Sequence, residues 1–314
     1  MSLNYKYEKG PSNLPLPCPG LYCGRTRLFE GTFNFTSCRA CPRGTRVLAK
    51  VCEPCQDMLT FYDWLYLGFM VLFGLVLHWI AIDRAARPGR LTPRVIAVHF
   101  SAVVESALAA FLTILFAEPM GSLEVKSCHV KQLSDWYTMF YNPNPNYEET
   151  LHCTQEAVYP LYSIVFVYYA WAIVLLLIIR PWMMKWCMPQ KGKAAIYSAL
   201  YFLPILAFVH AVFGGLIYYS YPYIVFLASL MTSAFHFASQ PDQTWGALKR
   251  STFTNVRNLV VVVGHWLLHA YGIIAITQLS RPVLHAAFLA LVPLPSLFYV
   301  ATVKFTDPDR LFLD

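Results

Sequence analysis

The stretch that decides the fold is Phe61–Ile82, FYDWLYLGFMVLFGLVLHWIAI, which is apolar except for Asp63 near its start and His78 near its end. A helix needs about 20 mostly apolar residues to cross roughly 30 Å of hydrocarbon at 1.5 Å per residue. The stretch meets that length, and aromatic residues lie at both of its ends, as in the interfacial belts of membrane helices. It therefore predicts a membrane-spanning helix.

Further segments of the same length and character follow along the chain. They are Val95–Ala117, Val158–Ile179, Ala195–Tyr219, Tyr221–Ser239, Leu259–Leu279 and Val283–Val303. The fourth and fifth of the resulting seven spans are joined by almost nothing and could form one long broken element. Because about 45 residues exceed the length of one crossing, two helices are the better interpretation. Prolines inside the spans, at Pro204, Pro293 and Pro295, predict kinks.

The composition of the whole chain agrees with a membrane protein. Of the 314 residues, 57% are hydrophobic and only 13% are charged, about half the charge of a typical soluble domain. This excludes an ordinary soluble enzyme and a disordered scaffold. The net charge of +7 does not point to nucleic acid, because the position of the basic residues relative to the spans matters more.

The basic residues predict an orientation. Short loops with more Lys and Arg face the cytosol, and 13 basic residues lie in one set of loops and the C-terminal tail against three on the opposite face when the N-terminal tail is left aside. That tail carries eight further basic residues, which argues weakly the other way, but the rule applies poorly to long segments. The 13 are Arg84, Arg87, Arg90, Arg94, Arg180, Lys185, Lys191, Lys193, Lys249, Arg250, Arg257, Lys304 and Arg310; the three are Lys126, Lys131 and Arg281. The N-terminus is expected to be lumenal or extracellular, inserted without a signal peptide by the first span.

Eight of the nine cysteines lie on the predicted lumenal side. They are Cys18, Cys23, Cys38, Cys41, Cys52, Cys55, Cys128 and Cys153. An even set in an oxidising compartment predicts disulfides, and the glycosylation acceptor Asn34-Phe35-Thr36 lies in the same tail. The spacing Cys38-x2-Cys41-x10-Cys52-x2-Cys55 also suits four zinc ligands, which is the competing interpretation.

Ionisable residues inside the spans form a candidate intramembrane polar cluster. They are His99, Glu105, His210, His265 and His269. His265 and His269 are four residues apart on one helix face, the spacing that lets two imidazoles hold one metal ion. An intramembrane metal hydrolase could be built on them, with His99 or Glu105 as a third ligand. Hydrogen bonding across helices is the more ordinary explanation, and we assign no metal ligand and no catalytic residue.

These observations predict an all-α membrane protein, a seven-transmembrane helix bundle with an N-terminal lumenal cysteine-rich module. The module covers residues 1–58, the bundle 59–304 and a short cytosolic tail 305–314. The loop 118–157, rich in aromatic residues and proline and flanked by Cys128 and Cys153, is expected to form a folded lumenal cap. The alternative is a disulfide-closed loop that lies on the bilayer surface.

Several strings in the chain resemble a known family, the Jun-kinase-associated membrane proteins (JAMP). The strings are CPGLYCG (18–24), CPRG (41–44), YDWLYLGFM (62–70), LVLHW (75–79), LSDWYTM (133–139), EAVYPLY (156–162), HWLLHAYGI (265–273) and KFTDP (304–308). They cover nearly the whole chain in the family's order. Residues 1–17 and the loops 187–194 and 240–256 show no family pattern.

The resemblance implies a multi-pass, non-enzymatic adaptor of the endoplasmic reticulum membrane without a cofactor. Its implied partners are the machinery of endoplasmic-reticulum-associated degradation, a membrane ubiquitin ligase, proteasome subunits and a Jun kinase, in the setting of the unfolded protein response and stress-kinase signalling. The lipid bilayer is expected to surround it, and no nucleic acid is expected.

Overall fold

The structure, a computed structural model, describes residues 17–28, 34–86, 92–142, 153–188 and 192–306. Of the basic residues counted above, Arg87, Arg90, Lys191 and Arg310 lie outside these ranges, as does residue 307 onward of the predicted tail. The described residues are mostly helical, at 69%. It forms two compact units. Unit 1 comprises residues 1–63, 70–88 and 94–215, and unit 2 comprises 64–69, 89–93 and 216–314.

Eight α-helices are present in the described ranges. They are α1 (Phe61–Ala85), α2 (Pro93–Phe116), α3 (Leu161–Cys187), α4 (Gly192–Ala238), α5 (Trp245–Thr254), α6 (Val256–Thr277), α7 (Pro282–Leu289) and α8 (Leu294–Thr306). Six segments of the described chain are long and apolar enough to cross a membrane: α1, α2, α3, α4, α6 and the stretch Pro282–Val303 that contains α7 and most of α8. The predicted spans thus agree with these helices except in α4 and at a break within the final span.

Helix α4 replaces the two helices predicted at 195–219 and 221–239, and that prediction is wrong in this structure. A single helix of 47 residues runs from Gly192 to Ala238 without a break. The two predicted spans are separated by Ser220 alone, and Pro222 follows at the start of the second; membrane helices tolerate proline. The hydroxyl of Ser220 donates to the carbonyl of Leu216 at 2.7 Å, a bond made within the helix.

The predicted final span is interrupted at Ala290–Pro293. Helix α7 ends at Leu289 and α8 begins at Leu294, with turns between them. Pro293 has no amide hydrogen to donate to the carbonyl of Leu289, so the helical ladder cannot continue through it. The kink predicted there is therefore a full break, whereas Pro204 lies inside an unbroken α4.

Short strands and a tight helix start build the N-terminal part of unit 1. Three antiparallel pairs form: Cys23–Gly24 (β1) with Arg39–Ala40 (β2), Thr45–Leu48 (β3) with Val51–Pro54 (β4), and Asp57–Met58 (β5) with Lys126–Ser127 (β6). The third pair joins the tail to the loop between α2 and α3. Helix α1 then begins at a capping box, in which the Thr60 hydroxyl accepts from the Asp63 amide and the Asp63 carboxylate accepts from the Thr60 amide.

Each unit has its own apolar core. In unit 1, Leu75 and Ile82 of α1 pack with Val98 of α2 and Met184 of α3. In unit 2, Phe237, Leu248, Val262 and Val303 bring together α4, α5, α6 and α8. Tyr66 of α1 stacks edge-on against Tyr218 of α4 in the same unit, with ring centroids 5.1 Å apart.

Candidate functional site

The most elaborate part of unit 1 is formed by the described residues of 17–60 together with those of the loop 117–160, which we call the cap. Four disulfides hold it: Cys18–Cys38, Cys23–Cys153, Cys41–Cys52 and Cys55–Cys128. These use all eight cysteines expected on one side of the membrane, including the four whose spacing also suited zinc. Cys187 is free. Two of the four bridges tie the N-terminal tail to the loop, a pairing that spacing alone does not give.

A buried ionic network at Asp135 reinforces that junction. Asp135 is 1% exposed, and one of its carboxylate oxygens accepts from Arg46 Nη2 at 2.9 Å and from the Lys131 amide at 2.9 Å. The other oxygen accepts from the Tyr22 hydroxyl at 2.9 Å. Burial raises the pKa of Tyr22, so it stays a neutral donor. Asp135, in the LSDWYTM string of the loop, therefore binds two separate parts of the N-terminal tail, at Tyr22 and at Arg46.

A second junction lies where the loop enters α3. The Cys41 amide donates to Gln155 Oε1 at 2.7 Å, and Arg43 donates to the Ser163 hydroxyl at 3.1 Å. Glu156 accepts from the Ser163 amide at 2.8 Å, in the first turn of α3, and burial raises the pKa of this carboxyl group. The CPRG and EAVYPLY strings thus meet in space.

Tyr159 belongs to the same junction. Its hydroxyl donates to Glu118 at 3.1 Å, and the Arg43 guanidinium lies 5.5 Å from the centre of its ring. Burial, together with the nearby Glu118 carboxylate, raises the pKa of Tyr159 to about 12. The cap is therefore a pre-organised, strongly crosslinked surface module.

The predicted glycosylation acceptor lies at an accessible edge of the cap. Asn34 is exposed, and its backbone carbonyl accepts from the Leu28 amide at 3.0 Å. The Thr36 hydroxyl accepts from the Thr26 amide at 3.0 Å. The geometry leaves the Asn34 side chain accessible, and glycosylation stays a prediction.

Two glycines in α4 seat the cap on the helices of unit 1, a contact that sequence reasoning missed. A β-carbon added to Gly215 would lie 2.7 Å from Trp136 Cβ, and one added to Gly214 would lie 3.2 Å from the Trp136 ring. One turn earlier, His210 Nε2 lies 3.0 Å from the Tyr162 carbonyl of α3. A Gly-Gly pair inside an apolar helix is the signal that could have indicated this close approach.

Glu105, considered above as a third metal ligand, pairs with an arginine instead. It forms a two-point ion pair with Arg180: Arg180 Nε lies 3.0 Å from Oε1, and Nη2 lies 2.6 Å from Oε2. Arg180 is wholly buried inside α3. The assignment of Arg180 and Lys185 to a loop is therefore wrong, because α3 continues past both residues to Cys187.

The predicted polar residues are each engaged separately. His99 Nε2 lies 3.1 Å from Asp83 Oδ1 near the basic loop that follows α1. His269 Nδ1 lies 3.0 Å from the Ser229 hydroxyl, whereas the ring of His265 faces His236 at 6.0 Å. Across the described residues, no group of three or more His, Cys, Asp or Glu side chains is placed to hold a metal ion.

The fold and the cap together define a class: a membrane protein with several membrane-spanning helices and a disulfide-rich module at its N-terminus. Residues 18–308 match the family described as JAMP, JNK1/MAPK8-associated membrane protein. The chain therefore belongs to the JNK1/MAPK8-associated membrane protein family.

Relatives in three animals match almost end to end. The JNK1/MAPK8-associated membrane proteins of Homo sapiens and Mus musculus are each 47% identical over 302 residues, which covers 94% of this chain and 95% of the relative. The Caenorhabditis elegans homolog is 30% identical over 315 residues, with 95% of each chain covered. No solved structure matches the chain.

Proposed function

We propose that this chain is a non-enzymatic adaptor of the endoplasmic reticulum membrane. Its cap lies in the lumen, and its basic cytosolic loops recruit proteasome and ubiquitin-ligase components for the degradation of misfolded proteins and modulate a Jun kinase. The name of its relatives in three animals supports the kinase association for those proteins. The wider role in degradation rests on the resemblance of the strings quoted above.

The cap is the single observation that carries the lumenal assignment. Disulfides form and persist in oxidising compartments and are rare in the cytosol, and four of them hold this module. The exposed acceptor at Asn34 is consistent with the same side. A glycan on Asn34 in cells, lost in Asn34→Gln, would support this placement; an unmodified Asn34 with reduced cap cysteines would contradict it.

The bilayer is proposed to be crossed seven times, with the C-terminus cytosolic. A straight helix of 47 residues is about 70 Å long, more than twice the thickness of the hydrocarbon. Because α4 already contacts the cap at Gly215, its first half completes one crossing. Its second half exposes large apolar side chains such as Leu227, Met231 and Phe235, as a second crossing requires. This step of the proposal departs from the unbroken helix of the structure, because a second crossing needs a reversal near Pro222.

The basic residues support the same sidedness. Without the buried Arg180, 12 basic residues remain in the proposed cytosolic helix ends, loops and tail, against three on the opposite face when the N-terminal tail and its eight basic residues are left aside. The crossing number can be tested with a glycosylation acceptor appended after Asp314, with Asn34 as the internal reference. Seven crossings leave the appended site unmodified. Glycosylation of both sites would establish an even number and overturn the proposal.

Helix α5 is the best-formed cytosolic contact surface in this arrangement. It begins at the cap residue Thr244, whose hydroxyl accepts from the Ala247 amide. Leu248 anchors one face in the core of unit 2, and Lys249 and Arg250 lie exposed on the other side. The exposed ring of Phe253 lies beside them. A basic pair next to an apolar side chain suits an acidic protein partner.

The adaptor role is tested by charge reversal in the full-length chain. We expect Lys249→Glu with Arg250→Glu to reduce co-isolation of Jun kinase, ubiquitin ligase or proteasome subunits from mild detergent by several-fold. The matched control is Lys126→Glu with Lys131→Glu, which reverses two charges on the cap. The wild type and both double variants are compared at equal abundance and with the same Asn34 glycan. Equal recovery of the partners with all three would refute docking through α5.

A further inference from the structure

Unit 2 contains a cavity of about 440 Å³ that the proposed adaptor role does not use. Its walls come from α4, α6, α7 and α8. The lining is apolar apart from His269 and Thr277, and includes Phe226, Leu230, Ile273, Ile276, Phe288 and Leu294. This volume falls within the range of about 300–1,000 Å³ typical of small-molecule sites. All four helices belong to the apolar segments, so the natural source of a ligand is the bilayer.

The polar point in this wall is His269, which is 6% exposed. The Ser229 hydroxyl lies 2.7 Å from the Phe226 carbonyl and 3.0 Å from His269 Nδ1. A carbonyl can only accept, so the single hydroxyl proton of Ser229 goes to Phe226. His269 therefore donates its Nδ1 proton to the Ser229 oxygen. Its Nε2 is left as a bare acceptor, with no hydrogen-bond partner in the ranges that the structure describes.

The arrangement around His269 is fixed by close helix packing. Gly272, one turn further along α6, lies so near α4 that an added β-carbon would be 3.0 Å from the Phe226 backbone. The rings of His269 and Phe226 also pack together, with centroids 4.8 Å apart. Ser229, Phe226 and Gly272 thus hold the ring of His269, a residue that lines the apolar cavity, in one position.

The lining also limits what can bind. It contains no Lys, Arg, Asp or Glu. A phosphate or a carboxylate buried there would have no cationic partner, which is strongly unfavourable. A neutral lipid with one hydroxyl group would donate that proton to Nε2 and place the rest of its surface against apolar walls. A rigid body loses less conformational freedom on binding than an acyl chain does, which favours a sterol.

We propose that this cavity is a binding site for a sterol, whose hydroxyl donates a hydrogen bond to Nε2 of His269 while its ring system fills the space between α4, α6, α7 and α8. The proposal is independent of the adaptor role. It assigns a function to the HWLLHAYGI string, whose second histidine faces the cavity.

The test uses the purified full-length protein in phosphatidylcholine nanodiscs with a photoreactive diazirine analogue of cholesterol. We expect labelled peptides from α6 and from the second half of α4. His269→Leu should weaken competition by unlabelled cholesterol about 3- to 10-fold, the effect of one hydrogen bond. His265→Leu, one turn away on α6 and outside the lining, is the matched control and should leave competition unchanged.

Further experiments distinguish binding of a sterol from binding of other lipids. Blocking the cholesterol hydroxyl as a methyl ether should reduce competition for the wild type and have no additional effect in His269→Leu. Ile273→Trp, which fills the cavity without touching the hydrogen bond, should abolish labelling. The proposal is overturned if a photoreactive fatty acid or phosphatidylcholine labels the same peptides more strongly, or if Ile273→Trp labels as well as the wild type while remaining monodisperse.

Discussion

Arg180 and Glu105 form a two-point ion pair inside the membrane-spanning part of the chain, with Arg180 Nη2 2.6 Å from Glu105 Oε2. Both side chains are buried, on α3 and α2 respectively. His78 of α1 is buried near the same guanidinium. A charged pair at this depth fixes the register of α2 against α3, because sliding either helix would leave one charge unpaired in an apolar environment.

Removing one charge should therefore be worse than removing both. We expect Glu105→Gln to destabilise the protein by about 3–5 kcal/mol, since it leaves the Arg180 cation buried without its counter-ion. The double variant Glu105→Gln with Arg180→Met should recover much of that loss. Thermal unfolding of the detergent-purified variants, followed by size-exclusion chromatography, measures the effect. A double variant no more stable than Glu105→Gln would argue against direct pairing.

Much of the helical architecture could be predicted from hydrophobic runs alone. The first span was expected at 61–82 and the helix is Phe61–Ala85. The sixth was expected at 259–279 and the helix is Val256–Thr277. Run length determines such elements because the bilayer sets a minimum apolar length. Run length alone ends the third span before Arg180. In the structure α3 continues past it, because the Arg180 charge is neutralised by Glu105, which is 75 positions away in the sequence.

Contacts between residues far apart in the sequence could not be predicted either. The sequence indicated which cysteines form disulfides, but not that Cys23 joins Cys153 across 130 residues. It also gave no sign that Trp136 of the loop would meet Gly215 of α4. Such contacts depend on which helices become neighbours, and neither composition nor spacing carries that information. Helix α5 was missed because its pattern is short and only weakly apolar.

The disulfides that join the tail to the loop should contribute more than the local one. In the chain-entropy account, stabilisation grows with the logarithm of the loop closed. Cys23–Cys153 closes 130 residues and Cys41–Cys52 closes 11, a difference of about 2 kcal/mol. We expect the double serine variant of the first pair to show the larger loss of protease resistance in the cap. Equal loss from both variants would show that the membrane helices already hold the loop ends together.

The carboxylate at the centre of the cap should be more important than the tyrosine that contacts it. Asp135→Asn keeps the size of the side chain but removes the charge that pairs with Arg46, which is itself largely buried. A loss of about 2–3 kcal/mol is expected, typical of a charged hydrogen bond in a buried site. Tyr22→Phe removes one neutral donor and should lose about 1 kcal/mol. Limited proteolysis of the cap would rank them, and a greater loss for Tyr22→Phe would contradict this order.

The acid at the start of α3 should make the stability of the protein depend on pH. Burial raises the pKa of Glu156 above that of an unfolded chain. Its contribution to stability is therefore present in full below the unfolded pKa and is lost as pH rises through the folded pKa. Glu156→Gln keeps the acceptor for the Ser163 amide and removes this titration.

Relative to the wild type, Glu156→Gln should gain stability between mildly acidic and neutral pH and show no gain below the ordinary carboxyl pKa. The measurement is the difference in melting temperature between the two proteins from pH 4 to pH 7.5, in one detergent and at constant ionic strength. A difference that stays flat across that range, or that favours the wild type at neutral pH, would show that the Arg43 charge outweighs burial.

The contact between the cap and α4 can be tested by adding a single methyl group. A β-carbon at Gly215 would lie 2.7 Å from Trp136 Cβ, closer than packed carbon atoms approach each other, and the nearest atoms belong to the start of the side chain. Gly215→Ala should therefore push the loop away from α4 and destabilise the protein by about 1–3 kcal/mol, typical of overpacking.

In Gly264→Ala, on α6, the new methyl group meets nothing within 4 Å. That control should be neutral or gain up to about 1 kcal/mol, because alanine favours a helix over glycine. Thermal stability of both proteins in detergent distinguishes the two outcomes. If Gly215→Ala were stabilised as much as Gly264→Ala, the contact between Trp136 and α4 would not exist in solution.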